Sequence, residues 1–118
     1  MNKDTKEKWV AALRGGKYKQ CQGELKDASG AHCCLGVLLE TQGWKETTST
    51  TVSTNQDKFT FSNYVSQEGV INREENELDE YTSEAFGLNR QQQVRLMNLN
   101  DDKGWSFNLI ARWIEDHL

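Results

Sequence analysis

The chain lacks the long apolar runs that a membrane span requires. No stretch approaches the ~18 consecutive apolar residues of a transmembrane helix, so none is expected to cross a bilayer. The opening "MNKDTKEKWV" is charged and has no apolar h-region, so no secretory signal is expected and the cytoplasm is the default address. Histidine occurs twice and cysteine three times, at Cys21, Cys33 and Cys34. An odd number of cysteines, two of them adjacent and so badly placed to bridge each other, points to a reduced intracellular protein. A structural zinc needs about four Cys/His ligands, and no C-x-x-C pair is present, so no metal site is expected. Neither a P-loop nor a G-x-G-x-x-G occurs, and "GLNRQQQ" replaces neither. Asn100, Asp101 and Asp102 look like a fragment of a calcium loop without its ligand spacing or terminal Glu, which leaves them turn and capping duty. No cofactor is implied and no internal repeat is visible.

What is present suits one domain, residues 1–118. A chain of this size buries roughly two-thirds of its unfolded surface, enough to fold without metal or disulfide. Apolar residues make up 36% of it and mean hydropathy is -0.81, yet four Trp, three Tyr and four Phe supply anchors for a core. The net charge of -4 is unevenly placed. Residues 1–27 hold seven Lys/Arg and four Asp/Glu, a balance of +3, and residues 28–118 hold seven and fourteen, a balance of -7. An acidic protein is a poor candidate for wrapping duplex nucleic acid. The basic end suffices for a few phosphates; the plain alternative is a solvated helix face.

Periodicity predicts a helix over 4–14, with Asp4 as N-cap and Glu7 completing a capping box. Trp9, Ala12 and Leu13 share one face, and Gly15 is expected to take the left-handed cap before Gly16. Residues 17–32 read as an irregular β-hairpin turning at "DASG", Asp27 to Gly30. A second helix over 33–42 is apolar on most sides and therefore central, with Gly36 marking a close neighbour and Gly43 ending it. "TTVSTNQDKFTFSNYV" is expected to fold on itself about a turn at Asn55 to Lys58, with Val52, Phe59 and Phe61 alternating. "REENELDE", residues 73–80, reads as a solvated acidic loop. Asn89 should cap a helix to about Asn98 with Arg90 stems, Val94 and Met97 inward, and "LNDDKG" should turn. Ser106 should cap a terminal helix burying Phe107, Ile110, Ala111, Ile114 and Leu118. The expected fold is α+β, a small antiparallel sheet packed with three or four helices.

Two groups of residues carry candidate chemistry. Cys33 at a helix N-terminus is where unpaired N–H groups and the dipole favour a thiolate. A hydrolase built on it would need His117 as base, since His32 is too near in sequence, and a buried structural cysteine is the plainer reading. Arg14, Lys17, Tyr18, Lys19 and Gln20 combine cations, a ring and an amide, which suit the phosphate, base face and base edge of a nucleotide. N–H groups at His32 and Cys33 would add anion donors at the start of the central helix.

The stretch "WVAALRGGKYKQCQGELKDASGAHCCLGVLLE" resembles a group of small bacteriophage and prophage proteins that read W-x-x-A-L-R-x-G-x-Y-x-Q, then G-x-L, then C-C-L-G-V-L. "LMNLNDDKGWSFNLIARWIE" fits the end of that pattern, and the likeness covers about two-thirds of the chain, leaving out 45–85. The matching polar positions are Arg14, Tyr18, Gln20, Asn100 and Asp101. Where the group often has a further Cys, this chain has Leu39 and Glu40, which weakens any thiol-based function. The resemblance implies an accessory protein that blunts host defence in the host cytoplasm. One such class resembles sponges, which hold a nucleotide immune signal (a cyclic ADP-ribose type or a cyclic dinucleotide) without cleaving it, so no enzymatic activity is expected. On that implication Arg14, Lys17 and Lys19 meet phosphate, Tyr18 or Trp44 stacks on the base, Gln20 and Asn100 bond base or ribose, and Asp101, His32 and Cys33 complete the pocket. Tight capture of a small ligand suggests a homodimer. The competing readings are a protein-binding inhibitor that uses "REENELDE" as a negative decoy, and the Cys33 hydrolase.

Overall fold

The computed structural model describes residues 1–52 and 58–118. It is α+β. The element order is α1 (Lys3–Arg14), α2 (Cys34–Thr41), β1 (Lys45–Val52), β2 (Lys58–Val65), β3 (Ile71–Asn72), α3 (Glu80–Ala85), α4 (Arg90–Met97), a π-helical turn (Asn98–Asp102) and α5 (Phe107–His117). Among the described residues no helix is long and apolar enough to cross a membrane.

The helix α2 is the core element. Six consecutive residues, Cys34 to Leu39, are buried, because apolar side chains surround it and every side needs cover. Trp9 and Leu13 of α1, Leu96 of α4, Leu99 of the π turn, and Ile110 and Ile114 of α5 supply that cover in one cluster. Gly36 is where the fit is tightest. A Cβ there would lie 1.9 Å from the Leu25 carbonyl oxygen, so backbone occupies the space of a side chain. Trp9 adds direction to this packing by donating its indole N–H to the Cys34 carbonyl at 2.8 Å.

The sheet has the order β1-β2-β3 and is antiparallel throughout. Lys45 pairs with Val65 and Val52 with Lys58, with Thr51 opposite Phe59 and Ser49 opposite Phe61 in the backbone register. Most of the expected turn, residues 55–57, lies outside the described residues, and Lys58 already belongs to β2.

Several local expectations are corrected. The Asn2 side chain caps α1, accepting from the N–H groups of Asp4 at 2.8 Å and Thr5 at 3.2 Å. Asn is as good a cap as Asp, and its earlier position leaves Asp4 in the first turn. Gly15 is right-handed, and Gly16, at φ 74°, takes the left-handed conformation. The 17–32 segment makes single bridges, Gln20 to His32 and Lys26 to His32, instead of a hairpin. Its "DASG" turn holds: the Asp27 carboxylate accepts from Ser29 N–H, Ser29 O–H and Ala31 N–H at 2.6–3.0 Å. In "REENELDE" Leu78 is buried, Glu77 pairs with Arg90, and Asp79 caps the unforeseen helix α3 by accepting from Thr82 N–H. On α4, Gln93 and Leu96 face inward while Val94 is exposed. Gln93 goes inside because its amide oxygen accepts from the otherwise unpaired Leu78 N–H at 2.7 Å. "LNDDKG" continues α4 as the π turn.

Candidate functional site

The segment between α1 and α2 crosses the start of α2 and is pinned there. His32 N–H donates to the Lys19 carbonyl at 2.8 Å, and Cys21 N–H donates to the His32 carbonyl at 2.9 Å. The C-terminal part of the chain reaches this place through the π turn. Asn100 is fully buried, and its carbonyl oxygen accepts from Cys34 N–H at 3.2 Å and from Gln20 Nε2 at 2.9 Å. Its Nδ2 donates to the Cys21 carbonyl at 2.9 Å and to Asp101 Oδ1 at 2.7 Å. Asp101 Oδ1 accepts in turn from Gly23 N–H at 3.0 Å, and Gln20 Nε2 donates also to the Trp105 carbonyl at 2.7 Å. Cys33, the N-cap of α2, offers no side-chain cap, so Asn100 does that work from a remote position.

Gln20, Cys33, Asn100 and Asp101 are therefore brought together, from opposite ends of the chain, by bonds among themselves and the backbone. The N–H groups of His32, Cys33 and Cys34 are taken by Lys19, Leu25 and Asn100. The expected anion site at the start of α2 is thus occupied by the protein's own oxygens. All three thiols are buried and free. Burial pushes Cys21 up to about 11 and Cys33 up to about 12, and holds Cys34 well above the ordinary thiol range. A protonated, enclosed Cys33 lacks the thiolate that a hydrolase needs. His117 stacks on Trp113 of α5 with centroids 4.6 Å apart and bonds the Trp113 carbonyl through Nδ1.

The cationic candidates lie outward of this bracket. Lys17 and Lys19 are exposed and Tyr18 between them is half-buried. The Lys17 ammonium sits 5.4 Å from the centroid of the Tyr18 ring. That ring meets the His32 imidazole edge to face, with centroids 5.3 Å apart at 86°. Arg14 is occupied elsewhere: it pairs with Glu115 of α5 beside a cleft of about 380 Å³ that Lys3, Lys6 and Val10 also line. Trp44 is 7% exposed and packs against Phe86 at 5.9 Å, so it belongs to the core.

Two residues beside this site escape sequence reasoning, Glu40 and Tyr64. His32 Nε2 lies 3.0 Å from Glu40 Oε1, and the buried Tyr64 hydroxyl donates to the same oxygen at 3.2 Å. Burial and the Glu40 carboxylate push the Tyr64 hydroxyl above its ordinary range. The available signal was Glu40 itself, a carboxylate directly after the apolar run "CCLGVLL".

An acidic cleft of about 540 Å³ is lined by Glu24, Asp27, Glu46, Glu74 and Glu75, with Lys26 paired to Glu46 at 3.6 Å. Among the described residues no group of three or more His, Cys, Asp or Glu is placed to hold a metal ion.

No curated protein matches the chain, and no solved structure matches it. A family model does, and it spans the α1 segment, the α2 start, the sheet and the π turn alike. By that match over residues 1–118 the chain belongs to the family described as Domain of unknown function (DUF8296).

Proposed function

We propose that this chain is a phage accessory, anti-defence protein that captures a nucleotide-derived immune signal in the host cytoplasm and holds it intact. The observation that carries this reading is the Lys17–Tyr18–Lys19 element. Two exposed ammonium groups flank an aromatic ring that is propped edge-on by a buried imidazole. Phosphates need the first and a base face needs the second. Gln20, Asn100 and Asp101 serve by fixing the backbone behind the element. The enclosed thiols fit capture without turnover. Tyr18, Lys19 and Gln20 line none of the clefts described above, so a second copy of the chain completes the pocket in this reading.

The test is a thermal-shift panel of cyclic ADP-ribose isomers and cyclic dinucleotides. A ligand at 100 times its Kd adds about 2.7 kcal/mol of stability. The loaded protein is then washed and heat-denatured, and the released nucleotide is weighed by mass spectrometry. Intact nucleotide is expected, with binding lost in Lys17→Glu/Lys19→Glu. A flat panel, or cleaved nucleotide, overturns the reading.

The acidic cleft favours a second reading, an inhibitor that docks a basic host protein. Capture of such a protein by the wild type but not by Glu74→Lys/Glu75→Lys, with a flat nucleotide panel, would select it.

A further inference from the structure

His32 carries an orphan. Its side chain is 7% exposed, yet among the described residues its Nδ1 has no hydrogen-bond partner. A buried polar atom without a partner is a standing cost, and the neighbouring groups show which kind of partner it needs. Glu40 as a carboxylate can only accept, so Nε2 carries the ring proton and donates to it. In the neutral imidazole that bond fixes the tautomer and makes Nδ1 a bare acceptor. The Tyr64 hydroxyl, donating to the same Glu40 oxygen, keeps the carboxylate in place. The ring packed on His32 is Tyr18, half-buried and set between two exposed lysines. Backbone bonds on Lys19, Cys21 and His32 hold this segment, and the half-buried Tyr18 side chain packs at the rim of the core by contact alone.

We infer that His32 Nδ1 is the base-reading group of the binding site, covered by Tyr18 until a nucleobase bearing an exocyclic amino group takes the cover's place. This inference rests on the nucleotide-binding reading above. The amino group donates to Nδ1, Tyr18 turns from the imidazole onto the face of the base, and Lys17 and Lys19 meet the phosphates. The discriminating atom is the donor: a base with a carbonyl at that position sets acceptor against acceptor and is rejected.

Two measurements test it. The first needs no nucleotide. Diethyl pyrocarbonate acylates unprotonated imidazole, and peptide mass spectrometry separates His32 from His117, the other histidine. His117 should label readily and His32 slowly in the wild type, and Tyr18→Ala should bring His32 to the rate of His117. Fast labelling of His32 in the wild type, or no gain in Tyr18→Ala, sinks the cover. The second compares cyclic di-AMP and cyclic ADP-ribose with their hypoxanthine counterparts by calorimetry. The wild type should bind an amino-bearing nucleotide about tenfold more tightly, and His32→Gln, which can still donate to Glu40, should erase that preference. Binding without the preference, or a preference that survives in His32→Gln, overturns the inference and leaves nucleotide capture standing. Binding of none of the four overturns this inference, and a flat thermal-shift panel overturns the nucleotide-capture reading with it.

Discussion

Replacing Gly36 by alanine sets two rules against each other, and their signs differ. Helix propensity says that Gly36→Ala in the middle of α2 should stabilise by about 1 kcal/mol. The packing says the reverse. The new methyl would stand 1.9 Å from Leu25 O, 2.9 Å from Leu25 C and 3.4 Å from His32 Cβ. An ordinary C···O contact is about 3.3 Å, so the backbone at Leu25 must retreat by about 1.4 Å. That backbone is held on both sides: Leu25 N–H donates to Glu75 O at 3.0 Å, and Leu25 O accepts from Cys33 N–H at 3.3 Å. Losing both bonds costs about 2 kcal/mol, and overpacking adds about 1–3 kcal/mol. Set against the propensity gain, the net is a destabilisation of about 2–4 kcal/mol, or about 10 °C in Tm for a domain of this size. Urea unfolding followed by tryptophan fluorescence measures it, with an unchanged m-value showing that the folded state stays compact. A variant as stable as the wild type, or more so, would refute the claim that Leu25 is fixed against α2.

Asn100→Ala deletes the acceptor for Cys34 N–H and Gln20 Nε2 and the donor to Cys21 O. We expect a loss of about 3 kcal/mol in the same urea assay, more than for Gln20→Ala; a change under about 0.5 kcal/mol would mean that the bracket contributes little. The thiols give a pH dependence with a definite sign. Folding raises Cys21 to about 11 and Cys33 to about 12 from 9.0, so the fold favours the neutral thiol. Their contribution is complete below pH 9.0 and is lost as pH rises through 11 and 12, because the unfolded chain gives up its protons first. The urea midpoint should fall from pH 9 upward, and iodoacetamide at pH 8 should alkylate the three cysteines only after unfolding; a midpoint flat to pH 11, or alkylation of native Cys33, contradicts the burial.

Where a local pattern decides the outcome, the sequence is easy to read. The spacing of Phe107, Ile110, Ala111 and Ile114 sets the buried face of α5, and Ser106 caps it as expected, accepting from Leu109 N–H. Gly36 was legible as a close approach because nothing else explains a glycine in the middle of so apolar a helix. What stayed hidden depends on partners far along the chain. Cys34 N–H is capped by a residue 66 positions later, and Gln20 is held by residues 80 and 85 positions later. No window of residues carries that information, so Gln20 and Asn100 read as ligand-binding amides. Val94 was misplaced for a similar reason: the inward place on α4 goes to Gln93, whose value lies in one backbone N–H at Leu78. In the candidate site, Lys17, Tyr18 and Lys19 were legible as a polar element, whereas the pairing of His32 with Glu40 was not. Those two residues lie eight positions apart, and the loop-to-helix geometry that joins them leaves no periodic trace.

The remote cap on α2 bears on how the protein comes off the ribosome. The most apolar helix of the chain, residues 34–41, carries no cap of its own. Its cap emerges with Asn100, 66 positions after Cys34, and much of its cover, Leu96, Leu99, Ile110 and Ile114, is likewise translated well after the helix itself. Until then the nascent chain exposes the surface most prone to aggregate, and native packing of α2 waits on residues 96–114. Translation products that stall before the π turn are thus natural clients for chaperones and proteases, because the cap and much of the cover of α2 are still missing from them.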